Sequence, residues 1–464
     1  MYRKNAWENL TKDELKKVMS FNEDYKAFLS GGKTERMVVN ESLTLLEEKG
    51  FICLDDLIKE QKELKAGMKV YSINKDKNII AFVIGKKSLT DGIRVLGAHI
   101  DSPRLDIKQN PLYEKNGFAL LDTHYYGGIK IYQWVATALS LVGVVCKKDG
   151  TCVEINIGDN PNDPVLGISD LLIHLSADQM KKTGAKVVEG EDLDLTVGNM
   201  PKFKNNEDDE DIKNPVKTAI LDLLKEFYDI DEEDFISAEI EVVPAGPARD
   251  YGLDRSMVAG YGHDDRVCAY TSLRALLDIE NPEYTSCTVL VDKEEVGSIG
   301  ATGAQSLYFQ NTILELLGLE GKADILTLRR TLTNIKMLSS DVSAGFDPLY
   351  PSVNDDKNAA FLGDGVVFNK YTGARGKSGC NDAMPEYVAW LRNIMDNENI
   401  CYQTAELGRV DQGGGGTIAY ILGNYNMNVI DAGVPVLNMH SPMEIVSKVD
   451  VYGAYLAYKA FLTK

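Results

Sequence analysis

Histidine is scarce in this chain, five in 464 residues, cysteine occurs only seven times, and no apolar run approaches membrane-spanning length. Each shortage excludes something. The cysteines (Cys53, Cys146, Cys152, Cys268, Cys287, Cys380, Cys401) are odd in number and never spaced C-x-x-C, which fits neither a disulfide framework nor a structural zinc ribbon. A reducing, cytoplasmic location is the reading that follows. The longest apolar run, 135–146, is broken by Thr137 and Ser140 and falls short of the roughly 20 residues that a span needs. The opening stretch MYRKNAWENLTKDELKK is charged throughout and carries no signal-like apolar core. No membrane is expected. Basic charge is short as well: 50 Lys and Arg face 70 Asp and Glu, a formal charge of −20. A polyanion would be repelled, so no nucleic acid is expected.

What is present is ordinary globular composition, 44% hydrophobic and 26% charged, over a length that predicts two or three domains. Residues 11–50 read as two amphipathic helices, and 69–73 and 79–84 as strands of a hairpin joined by a polar linker. From Ile93 onward, short apolar runs end abruptly in polar residues and alternate with helical stretches. That pattern predicts an α/β fold with a mostly parallel central sheet covered by helices. Between about 102 and 249 the character changes to Gly- and Tyr-rich segments, a strand-like 152–157 and an acidic run, 205–211. This stretch reads as an inserted second domain for dimerisation or as a lid, leaving 1–101 and 250–464 as the catalytic domain. The acidic run itself reads as a solvated loop.

Open α/β sheets bind ligands at the carboxyl ends of their strands, so the residues that follow each apolar run matter most. The run 93–98 leads into His99-Ile100-Asp101, and 287–291 into Asp292-Lys293-Glu294-Glu295. The run 335–338 leads into Ser339-Ser340-Asp341, and 434–439 into His440. These four segments should deliver imidazoles and carboxylates to one sheet edge. Gly262-His263-Asp264-Asp265-Arg266 adds carboxylates at the start of a helical pattern, 267–277.

Mixed imidazole and carboxylate donors suit zinc, cobalt or manganese, whereas calcium wants oxygen alone. The ligand count fits two divalent ions: Asp264 bridging, His99 and Asp341 on one, Glu295 and His440 on the other, with positions open for water. Adjacent strand residues point in opposite directions, so one of Glu294 and Glu295 should be a ligand and the other a base. Spacing alone does not choose between them. Asp101, two residues after His99, is placed to hold the imidazole in its metal-binding tautomer.

Five motifs in order, GAHIDSPRLD (97–106), GHDDRV (262–267), DKEEVGS (292–298), SSDVSAGFDP (339–348) and NMHSPME (438–444), resemble the aspartyl aminopeptidases, a group of co-catalytic zinc aminopeptidases, along nearly the whole chain. Asp411-Gln412 before the glycine run resembles bacterial members. The resemblance implies His99, Asp264, Glu295, Asp341 and His440 as ligands to two zinc ions, Asp264 as the bridge, Glu294 as general base and Asp101 behind His99. It implies peptide substrates cut after the first residue, with a preference for acidic ones, and a homo-oligomer in which dimers build a dodecamer. The segment 171–175 is similar to a family stretch whose histidine, here His174, reaches a neighbouring subunit's active site.

Two further features bear on the peptide. The run Gly413–Gly416 lets the main chain approach a ligand closely, which makes Gly413 and Gly414 candidate substrate contacts. Lys377 and Arg375 form a basic spot suited to a substrate carboxylate; a phosphate loop around Gly376-Lys377-Ser378 fails because Tyr371 occupies the place of its first glycine. The apolar run 135–145, outside the main sheet, suggests a surface for self-association. An amide deacylase on the same scaffold is the alternative function, and a non-catalytic assembly protein keeping the fold is the other.

Overall fold

The strand Ile93–His99 is buried at every position, including Arg94 and His99, and a strand buried on both faces requires a layer of other elements on each side. A computed structural model, describing residues 5–8, 10–204 and 212–464, shows those layers. The chain divides into two units: Met1–Ser102, Ala248–Met439 and Glu444–Lys464 form the first, and Pro103–Pro247 with His440–Met443 the second. The acidic run 205–211 lies outside the described residues.

The first unit holds a nine-stranded sheet whose four middle strands, Thr285–Val291, Ile93–His99, Lys336–Ser339 and Asn428–Gly433, run parallel. Its flank includes the antiparallel hairpin Lys69–Asn74 and Asn78–Val83. One face presents Leu96, Ala98 and Leu338 to the helices His263–Leu277 and Lys448–Leu462. The opposite face presents Val95, Met337 and Val429 to Tyr308–Leu319. Burying each of these Leu, Val and Met side chains contributes roughly 1.5–3 kcal/mol, and the parallel register sets the four strand ends level. Residues 11–50 form the two expected helices, Lys12–Gly31 and Glu35–Glu48. The first is fixed at its start by a capping box in which Thr11 and Glu14 exchange hydrogen bonds.

One expected arrival at that sheet edge is different. The strand Pro435–Leu437 belongs to a separate five-stranded sheet, beside Glu444–Ser447 and Ser343–Ala344. The crossing is made at Gly433, where a Cβ would lie 1.7 Å from the Asp341 carbonyl oxygen; only glycine permits that approach.

The second unit is a six-stranded antiparallel sheet in the order Cys152–Ile157, Leu139–Cys146, Ala238–Pro244, Arg104–Lys115, Phe118–Tyr126, Leu195–Gly198. Two sequence expectations are corrected here. The apolar run 135–145 is not a bare surface, because Leu139–Cys146 is an inner strand of this sheet and Leu139, Leu141, Val142 and Val145 are buried within it. Cysteine pairing was also missed: Cys146 and Cys152 stand opposite each other across the hairpin and form a disulfide, and the other five cysteines form none. Their six-residue separation becomes a contact only through the hairpin register, which spacing does not reveal. Among the described residues no helix is long and apolar enough to cross a membrane.

Candidate metal centre

His99 ends its strand with a fully buried imidazole. Its Nε2 lies 3.1 Å from Asp264 Oδ1 and 3.9 Å from Asp341 Oδ1, and its Nδ1 lies 3.0 Å from the Asp101 carbonyl oxygen and 3.3 Å from Asp101 Oδ1. The ring is thus oriented from one nitrogen and presented to carboxylates with the other, the arrangement that fixes a metal-binding tautomer. Burial alone would disfavour charge on this ring, yet Asp101, Asp264 and Asp341 raise its pKa well above the ordinary histidine value.

Asp264 and Asp265 open the helix His263–Leu277 with non-helical backbone angles, after Gly262 at φ 76°, and the peptide bond between them is cis. The local backbone is fixed from three sides. Glu444 Oε2 accepts the Asp264 N–H at 3.0 Å, Ser102 donates to the Asp264 carbonyl at 2.7 Å, and Asp265 Oδ2 accepts the His99 N–H at 3.3 Å. Glycine suits position 262 because its left-handed φ of 76° strains any side chain, and a Cβ there would also displace the Arg266 guanidinium, 2.2 Å away.

Glu294 and Glu295 are not on a strand. The strand Thr285–Val291 ends before them, Lys293 takes a left-handed backbone at φ 69°, and Glu294–Val296 make one 3-10 turn. The strand alternation argued from sequence therefore does not separate the two side chains: His99, Glu294 and Glu295 each offer a ligand atom, all within 4.8 Å of one another. Asp101 secures this turn as well, its Oδ1 accepting from Glu294 N and its Oδ2 from Glu295 N, each at 3.1 Å.

A second set, His99, Asp265 and Asp341, lies within the same 4.8 Å limit and is wholly buried. Asp265 Oδ1 is buried without a hydrogen-bond partner. Burial, outweighing the neighbouring His99, lifts the pKa of Asp265 well above the carboxylate range, and burial likewise lifts that of Asp341. Several carboxylates concentrated out of water around one imidazole are costly unless a cation joins them. The donor set, nitrogen plus oxygen and no thiolate, fits a borderline divalent ion such as zinc.

The other expected residues are placed as follows. His440 follows the strand Pro435–Leu437 with a left-handed backbone at φ 65°, and its Nδ1 lies 2.8 Å from the Gly128 carbonyl oxygen. It stands four residues before Glu444, the residue that fixes Asp264. His174 sits in the exposed turn Ile173–Leu175. Lys377 has other company, with Asp382 Oδ2 at 3.1 Å and the Tyr371 ring centroid at 3.7 Å. The glycines are explained by the chain itself: a Cβ on Gly413 would lie 1.9 Å from the Leu407 carbonyl oxygen, and one on Gly414 would lie 2.4 Å from the Ala374 Cβ. Their close approach is to neighbouring backbone and loop.

Sequence reasoning gave no role to Asp265 or Glu444. Both were visible as acidic residues inside the motifs, and what hid them was that Asp265 acts beside His99 and Glu444 acts on a backbone N–H, neither of which spacing encodes.

Residues 28–462 match the family model described as aminopeptidase I zinc metalloprotease (M18). A probable M18 family aminopeptidase 1 of Clostridium acetobutylicum is 56% identical over 459 residues, 99% of this chain and 98% of that protein. The crystal structure of an M18 family aminopeptidase from Thermotoga maritima superposes with a TM-score of 0.94 at 45% identity, covering 100% of both chains. An S. cerevisiae mApe1 dodecamer shares the fold, with a TM-score of 0.77 at 18% identity over 96% of this chain and 97% of that one.

Proposed function

Since the chain belongs to the aminopeptidase I zinc metalloprotease (M18) family and is a metal-dependent aminopeptidase, we propose that its chemistry runs on two zinc ions held by the strand-end cluster. His99, Asp264 and Asp341 would hold one ion, Asp264, Glu295 and His440 the other, with Asp264 as the bridge. When bound, the ions polarise the scissile carbonyl and lower the pKa of the attacking water. The observation that carries the proposal is the buried imidazole of His99, aimed by Asp101 at Asp264 and Asp341. Asp265 keeps the strand end in place through the His99 N–H.

Glu294 takes the proton from the water and returns it to the departing amine, since one carboxylate next to the ligand Glu295 serves both steps. Asp101 sets its position by holding the turn through two backbone N–H groups. His440 donates through Nδ1 to the Gly128 carbonyl, which leaves Nε2 as its metal-binding nitrogen.

We further propose a homo-oligomer, in which dimers build a dodecamer and His174 donates a hydrogen bond to the carbonyl oxygen of a substrate bound by a neighbouring subunit. Its support is the exposed apolar setting of His174, between Ile173 at 70% and Leu175 at 69% exposure, because such patches on a folded surface mark contact sites. The dodecameric S. cerevisiae relative is consistent with it. A cytoplasmic location is also proposed; five of the seven cysteines form no disulfide, and the Cys146–Cys152 bond is the feature that runs against it. For the first residue of the peptide the proposal is an acidic side chain.

The test is a panel of aminoacyl anilides set beside N-acyl amino acids. Turnover of anilides with a free amine, fastest for Asp and Glu, supports the proposal. Preferential hydrolysis of the N-acyl compounds would make the protein a deacylase, and faster cleavage of neutral or basic anilides would refute the acidic preference alone.

A further inference from the structure

The two glutamates of the site ride on a loop whose neck is closed by hydrogen bonds between its flanking residues. Asp292 and Thr302 flank the nine residues 293–301. The Thr302 hydroxyl donates to Asp292 Oδ2 at 2.6 Å, and the Asp292 N–H donates to the Thr302 carbonyl at 3.3 Å. Asp292 is 1% exposed and Thr302 5%, so this clasp is made out of water. The hairpin turn of the nine-stranded sheet reinforces it from outside the loop. Asn78 donates to the Thr302 carbonyl, Asn74 donates to the Ala301 carbonyl at 2.8 Å, and Lys77 Nζ stands 4.0 Å from Asp292 Oδ2.

Within the loop the backbone is wound tightly. Ser298 N donates to the Lys293 carbonyl at 2.6 Å, Gly297 N to the Glu294 carbonyl at 3.0 Å, and Gln305 Nε2 to the Gly297 carbonyl at 3.0 Å. Asp101 holds the turn at the two glutamate N–H groups, two and three residues after Asp292, so it restrains only that side of the loop. With the Thr302 side of the neck loose, the turn can shift and carry Glu294, which no ion would hold, whereas Glu295 would also be held on its metal.

We propose that the Asp292–Thr302 clasp is a positioning device for the proton acceptor, with Thr302 as its key positioning residue. It deepens the reading of Glu294 as general base and rests on it. Thr302 is separated from Glu294 by eight positions in sequence, and its hydroxyl and carbonyl bond to Asp292 and Asn78, so its effect reaches catalysis through the path of the loop. Displacement of a reacting group by about 1 Å costs on the order of 100-fold in rate. The clasp is therefore expected to govern kcat, with little influence on how tightly the substrate is held.

The test uses the full-length metal-loaded enzyme. Thr302→Val keeps the shape and deletes the hydroxyl, Thr302→Ser restores it, and Thr302→Ala serves if the valine variant does not fold. Thr302→Val should lose about 10- to 100-fold in kcat with KM and metal content within about threefold of wild type, and Thr302→Ser should recover most of the loss. In a Glu294→Gln background the Thr302 substitution should have no further effect, because the group it positions is gone. Unchanged kcat in Thr302→Val, a parallel loss of metal, failure of serine to rescue, or full additivity with Glu294→Gln would each overturn the proposal. Wild-type activity in Glu294→Gln itself would instead overturn the assignment of the base, which keeps the two failures apart.

Discussion

The carboxylate of Asp101 serves two clients at once: Oδ1 lies 3.3 Å from His99 Nδ1 and also accepts the Glu294 N–H at 3.1 Å, while Oδ2 accepts the Glu295 N–H at 3.1 Å. One side chain therefore couples the orientation of a proposed metal ligand to the position of the proposed base. Asp101→Asn retains a single acceptor oxygen and should lose either the ring contact or one turn contact. Expected is a drop of about 10- to 100-fold in metal affinity or kcat, read from metal titration and steady-state kinetics. Wild-type values for both would show that Asp101 is dispensable.

Glu294 and Glu295 are told apart by their failures. Glu294→Gln should fold and hold metal normally while losing several orders of magnitude in kcat, whereas Glu295→Gln should weaken metal binding first. Metal content measured alongside turnover in each purified variant decides it, and exchanged phenotypes would reverse the two roles.

How much of this was legible follows from what kind of information each residue carries. The strand-end positions of His99 and Asp341 were legible because a buried parallel strand ends in an apolar-to-polar break that survives in the one-dimensional pattern, and Asp264 was legible as a carboxylate at the start of a helical pattern. The turn that brings Glu294 and Glu295 to the same imidazole could not, because it depends on the left-handed backbone at Lys293 and on Asp101, nearly two hundred positions earlier in the chain. The same holds for the Cys146–Cys152 bond and for the burial of 139–146: both are consequences of strand register. Gly413 and Gly414 were recognised as points of close approach, but a sequence does not say what approaches, and here it is Leu407 and Ala374.

A buried carboxylate remote from the cluster gives a pH prediction. Asp450, in the first turn of Lys448–Leu462, is 0% exposed and accepts the N–H groups of Gly363 and Gly365 at 2.6 and 2.8 Å. Burial, outweighing those two bonds, pushes its pKa up to about 8. The folded state then keeps a proton that the unfolded state releases near pH 4, so this group's contribution to stability is lost as pH rises from about 4 to about 8. Asp450→Asn cannot titrate. The difference in Tm, wild type minus variant, should fall by about 1 °C or more between pH 5.5 and 7.5; a difference that stays constant or grows would contradict the assignment.

Complementation tests the role of His174. Mixed dimers of Glu294→Gln and His174→Ala subunits contain one composite site with both groups intact only if the histidine acts across the interface. Random re-association of two nearly inactive parents should restore roughly a quarter of wild-type activity. Proven subunit exchange without recovery would confine His174 to its own chain.

The central claim is that the strand-end cluster holds two metal ions on which turnover depends. Elemental analysis of the purified protein, joined to chelation and refilling, measures it directly: about two transition-metal equivalents per chain are expected. Activity should vanish on chelation and return with zinc, cobalt or manganese, and His99→Ala and Asp264→Ala should neither retain the metal nor turn over peptide. Full aminopeptidase activity in a demonstrably metal-free sample, or undiminished metal content in both variants, would contradict the account.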